Sequence, residues 1–113
     1  MARIAVPVTQ VKVAGVTPPV QTAGNASENH QIEGNDGRIY VEVENVDAAA
    51  THTITFLTPG SAGGAEIEDP AIVVGKSAKV LAGPFAPQVF NQSNGQLFVN
   101  VNSAELKLRA YRV

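Results

Sequence analysis

The chain has 113 residues, with 8 Lys and Arg against 10 Asp and Glu and a formal charge of -2 at pH 7. That length corresponds to one domain, and the acidic balance argues against general phosphate binding. Hydrophobic residues make up 44% and cysteine is absent, which excludes wholesale disorder, disulfides, thiolate metal sites and thiol nucleophiles together.

β-Branched residues dominate the apolar set, with 16 Val, 6 Ile and 7 Thr against 5 Leu and 1 Met. Such side chains are stiff at χ1 and suit a pleated sheet better than a helix. The 10 Gly and 7 Pro are spread along the chain and would interrupt any long helix. No helix-period apolar stripe lasts three turns. No apolar run approaches the ~20 residues of a membrane span, and the start lacks the basic-then-apolar form of a signal peptide. The expected class is all-β.

In chain order, residues 3–8 are a weak strand candidate interrupted by Pro7, which marks an edge strand or an arm that leaves the domain. Residues 14–29 contain Gly15, Pro18, Pro19 and Gly24 and few large apolar groups. A structureless stretch of that length is uncommon in a compact domain and is usually functional or ordered by a partner. Asn35-Asp36-Gly37 is a reverse-turn signal. The strand over 38–44 after it puts Ile39, Val41 and Val43 on one face and Tyr40, Glu42 and Glu44 on the other.

Residues 51–56 alternate in the same way, with His52, Ile54 and Phe56 opposite Thr51, Thr53 and Thr55. Residues 58–64 read as a flexible loop tip, and 71–74 and 77–81 as further weak strands. Asn94-Gly95 signals another turn. Beyond it, Leu97, Val99 and Val101 face the core and Phe98 faces outward. Asn102-Ser103 is expected to close a hairpin into a last strand that buries Leu106, Leu108 and Ala110 and exposes Glu105, Lys107, Arg109 and Tyr111. Seven or eight short strands at this spacing predict a single antiparallel β-sandwich or small barrel, of jelly-roll or immunoglobulin-like type. An extended arm and loop over residues 1–29 would precede a β core over 30–113.

Chemistry is sparse along this frame. His52, on the apolar face of its strand, reads as a core or rim histidine, and His30, between loop and strand, as a structural or interface residue. No serine sits in a Gly-x-Ser-x-Gly elbow, so no nucleophile–base constellation can be written and an enzyme is not expected. Glu66, Glu68 and Asp69 are the one carboxylate cluster. They lack EF-hand spacing and are followed by Pro70, so a solvated acidic turn is the better reading than calcium. No zinc spacing and no phosphate loop are present, and no cofactor is expected. The dispersed basic residues give no nucleic-acid surface. Tyr40, Glu42 and Glu44 form an acidic strand face, and Lys107, Arg109 and Tyr111 a basic one. They are expected to be cross-strand neighbours rather than patches that complement each other between subunits.

Several segments together resemble a known family. The start Ala5-Val6-Pro7-Val8-Thr9 leads through a Pro/Gly-containing loop to Asn29-His30-Gln31-Ile32. Val43-Glu44-Asn45 closes the first long strand, Ala82-Gly83-Pro84-Phe85 follows the central ones, and the chain ends on Leu108-Arg109-Ala110-Tyr111-Arg112-Val113. In this order they resemble the small virion proteins of tailed bacteriophages described as capsid decoration, or cement, proteins. The resemblance implies a β domain that binds the outer surface of the assembled capsid, commonly as a homotrimer, and reinforces it without catalysis. The partner would be the major capsid protein, with neither nucleic acid nor membrane involved. The residues expected at partner interfaces are Arg3, Ile4, Val6, Pro7, Val8, Pro18, Pro19, His30, Tyr40, Phe98, Arg109 and Tyr111. Another virion component, such as a head–tail connector or tail protein, and a carbohydrate- or cell-surface-binding module are the alternatives.

Overall fold

The computed structural model describes residues 3–59, 61–62, 65–66, 69–92 and 95–113. It is a β-sandwich, one of the two architectures that the alternation allows. One five-stranded sheet runs β1 (Ile4–Ala5), β4 (His30–Ile32), β11 (Leu97–Val101), β6 (His52–Phe56) and β9 (Ala71–Val74). The other runs β10 (Lys79–Ala82), β5 (Ile39–Asn45), β12 (Leu106–Arg112) and β2 (Val8–Gln10), with the two-residue β3 (Thr22–Ala23) also paired to β12. A separate small pair joins β7 (Ser61–Ala62), inside the stretch expected to be a loop tip, to β8 (Ala65–Glu66) just after it. One helical turn, α1 (Pro87–Phe90), begins on a proline at its first position, where the missing N–H costs nothing.

The period-2 pattern decides which face of each strand is buried. Ile39, Val41 and Val43 of β5 and Leu106, Leu108 and Ala110 of β12 meet Ile32, Ile54, Phe56, Val74, Leu97 and Val99 of the other sheet in one core. Phe85 closes one end of it, with its ring centroid 4.6 Å from Phe56 and 5.3 Å from Phe90, the latter edge-on. Each fully buried side chain of this size contributes about 1.5–3 kcal/mol relative to exposure, so this inner layer dominates the stability of the domain.

Two expectations need correction. Residues 102–105 do not close a hairpin: β11 belongs to the first sheet and β12 to the second, so the connection arches across the core. A four-residue connector serves either geometry, and alternation reports the buried face of a strand without naming its sheet. The sandwich is also not purely antiparallel, because β1 pairs parallel to β4 and β2 parallel to β12.

Those two parallel pairs come from one segment. Pro7, which lacks a backbone donor, marks the point where the chain leaves the edge of the first sheet for the edge of the second, while Val6 beside it is buried in the core. Of the two roles expected for this segment, departing arm or edge strand, residues 4–5 and 8–10 take that of edge strands. The stretch expected to be structureless down to Asn29 likewise contains β3 and a turn. The Asn29 N–H donates to the Asn25 carbonyl at 2.8 Å, and Asn25 Oδ1 accepts the Ser27 and Glu28 N–H groups. Gly24 is required where this segment crosses the arch: a Cβ there would lie 2.5 Å from the Ser103 carbonyl oxygen.

Candidate functional site

Buried polar groups come first, because they show what is committed to the fold. Asn45 continues the inward row of β5 and is fully buried. Its Nδ2 donates to the carbonyls of Ala50, Val74 and Gly75, and its Oδ1 accepts the Asp47 N–H. One amide thereby joins the end of β5 to the end of β9 in the opposite sheet. Asn35 does the same at another corner: its Nδ2 donates to the Phe85 carbonyl and to Asn91 Oδ1, and Asn91 Nδ2 donates back to the Asn35 carbonyl. In the sequence Asn35 was read only as part of a turn signal and Asn45 only as the close of a strand, and neither as a buried fastening. The signal for Asn45 was its place at an apolar position of the strand period.

His30 is also structural. It is fully buried, and its Nε2 accepts the Asn25 N–H at 3.0 Å, so that nitrogen carries a lone pair and the proton sits on Nδ1. Nδ1 meets no partner of good geometry. Burial holds the imidazole below its ordinary range; the Ile4 backbone offsets part of this, and the Arg3 charge adds to it. His30, expected at an interface, thus faces the interior of its own chain, as does Val6. Both pack under the N-terminal strands of their own chain. His52 lies at the rim, its Nε2 3.0 Å from Asp47 Oδ2. That contact holds the Asp47 carboxyl below the usual carboxylate range.

Arg3 is engaged within the chain as well. Its Nη1 donates to Asn100 Oδ1 at 2.7 Å and to the His30 carbonyl, and its guanidinium lies 4.2 Å over the Phe98 ring. The outward-facing Phe98 is therefore covered by a cation–π contact with the N-terminal segment. Ile4 and Val8 are half-buried, and Pro7 and Pro18 are exposed.

The acidic and basic strand faces are neighbours, as expected. β5 and β12 place Glu42 directly opposite Arg109, Glu44 opposite Lys107 and Tyr40 opposite Tyr111. Arg109 Nη1 donates to Glu42 Oε2 at 2.6 Å, while its Nε donates to the Pro19 carbonyl at 2.8 Å. Gln21 Nε2 donates to Glu44 Oε1 at 2.7 Å. The charged row thus fastens residues 19–21 to the outer face of the second sheet.

Beside that row the same outer face opens into an apolar groove of about 370 Å³, lined by Val11, Tyr40, Glu42, Leu81, Tyr111 and Val113. Its ends are set by backbone bonds from the Val11 N–H to the Arg112 carbonyl and from the Val113 N–H to the Arg38 carbonyl. Leu81 occupies the wet phase of β10, opposite Glu42, and is 63% exposed. Sequence reading passed over it, although a large apolar residue out of phase with Val80 and Ala82 was a visible signal. The loop of residues 11–20 that starts at the groove carries Val13 fully exposed and Val20 92% exposed.

Of the carboxylate cluster, Asp69 caps Thr58, its Oδ1 accepting both the Thr58 N–H and hydroxyl. The Glu66 side chain, Glu68 and the turn residue Asn94 lie outside the described residues. Among the described residues no group of three or more His, Cys, Asp or Glu side chains is placed to hold a metal ion, and no helix is long and apolar enough to cross a membrane. In comparisons with known proteins, no family model, curated protein or solved structure matches this chain.

Proposed function

We propose that this protein is a structural virion component that binds the outer surface of an assembled phage capsid and stabilises it, acting by binding without catalysis. The observation that carries the reading is the uneven use of surface. The polar side chains that could do chemistry, His30, His52, Asn35 and Asn45, are spent on fastening the fold. The outer face of the second sheet and residues 11–20, by contrast, leave Val13, Val20 and Leu81 open to solvent. Val73 on β9 of the other sheet is exposed to the same degree as Leu81, and exposed apolar groups in this number on a small domain are suited to protein contact. The order of short segments described above, similar to that of decoration proteins, supplies the choice of partner, the major capsid protein, and of a homotrimer as the binding form.

The mechanism is mass action. A ligand that binds the assembled shell and not its dissociated parts stabilises the shell in proportion to occupancy. Repeated over many lattice sites, a modest interface gives a large total. The test is sedimentation of the purified protein with assembled capsids of the virus that carries it and, separately, with unassembled capsid protein. The reading expects co-pelleting with capsids alone. A protein that stays in the supernatant in both would overturn it.

A further inference from the structure

We infer that copies of this chain associate by seating residues 12–20 of one copy in the groove of the next, between Tyr40, Leu81 and Tyr111. The occupant is argued from the chain itself. The loop reads Val11-Lys12-Val13-Ala14-Gly15-Val16-Thr17-Pro18-Pro19-Val20, and its Pro-Pro step favours the extended polyproline conformation that docks on aromatic-lined grooves with little loss of entropy. The groove offers such a lining in the directly opposed pair Tyr40 and Tyr111.

The charges are complementary too. The loop carries one charged side chain, Lys12, which takes part in no ion pair among the described residues. The groove carries one acidic side chain, Glu42, which gives Oε2 to Arg109 and leaves Oε1 for a second cation.

A second copy is needed because, beyond Val11, which lines the rim of its own groove, the loop does not enter that groove. The bonds from Arg109 to Pro19 and from Gln21 to Glu44 hold its far end over β12 and β5. Val13 and Val20 meanwhile stand almost wholly in solvent. A loop on one copy that enters a groove on another is a head-to-tail contact, which closes into a ring when the rotation between copies permits. This inference stands whether the bound surface is a capsid or another partner, and its test needs no capsid.

Two variants at exposed positions separate the halves of the contact: Val13→Ser with Val20→Ser in the loop, and Leu81→Glu in the groove. By light scattering, wild-type protein is expected to form one discrete oligomer, and each variant is expected to self-associate at least tenfold more weakly. An equimolar mixture of the two should give a one-to-one complex, because one supplies an intact groove and the other an intact loop. A synthetic peptide of residues 11–21 should shift the Tyr40 and Tyr111 ring signals of the loop variant in NMR spectra, and leave those of Leu81→Glu unmoved. A wild-type protein that is monomeric throughout, a variant that keeps the wild-type mass, or a peptide that moves neither tyrosine would each overturn the inference.

Discussion

The two faces of the second sheet are built from the same strands and have opposite occupations. Inward, β5 and β12 bury Ile39, Val41, Val43, Leu106, Leu108 and Ala110, and Asn45 extends that row with every polar atom of its amide engaged. Outward, one residue away in each case, Tyr40, Glu42, Arg109 and Tyr111 line a half-covered surface that ends in exposed Leu81. Because side chains alternate strictly along a strand, a single stretch of sequence specifies the core on one face and the solvent-facing surface, the proposed contact surface, on the other. Substitutions on the two faces should therefore separate cleanly in what they damage.

The largest effect belongs to the inner face. Leu108→Ala removes a side chain buried to within 1% of its surface, and large-to-small changes of this kind cost about 2–5 kcal/mol. Denaturant melts should show the midpoint falling with an unchanged slope. Next comes Asn45→Ala, which leaves the buried carbonyl of Val74 without this donor. A loss of about 1–3 kcal/mol is expected for removing a buried amide whose donors and acceptor are all engaged, read in the same melts.

A smaller, pH-dependent effect tests the seam under the N-terminal strand. The folded state holds His30 below its ordinary pKa, chiefly through burial, so the unfolded chain binds this proton more readily. Stability conferred by the neutral imidazole is complete above about pH 6.5 and is lost progressively as pH falls below it. His30→Gln should flatten that slope between pH 6.5 and 5, and a slope that survives the substitution would place its origin elsewhere. The smallest stability effect is expected for Leu81→Glu on the outer face, within about 0.5 kcal/mol of wild type, even though it should weaken self-association at least tenfold. A large drop in melting temperature for that variant would erase the distinction between the faces.

The inward rows of β5, β6, β11 and β12 were legible in the sequence because each keeps period 2 over five or more residues. Their assignment to sheets was not. Val101 and Leu106 are separated by four residues and face one core from opposite sides, a geometry that leaves no mark on the alternation. β3 and β4, at two and three residues, are too short to establish any period; they are held by tertiary contacts such as the Asn29 Oδ1 that accepts the Val101 N–H. Of the candidate interface residues, Tyr40, Arg109 and Tyr111 lie on one outer face as their parity indicates. His30 and Val6 are buried within their own chain, because the N-terminal segment packs into the domain's own sheets. Leu81 was visible as an apolar residue on the wet phase, and its meaning came only with Tyr40 and Tyr111 beside it.

The central claim, that this domain works by binding and reinforcing an assembled shell, is tested most directly by heating genome-filled capsids with and without saturating protein. The account predicts that genome release moves to higher temperature as occupancy rises, reaching a plateau when the lattice sites are full. Release at the same temperature at full occupancy would contradict it.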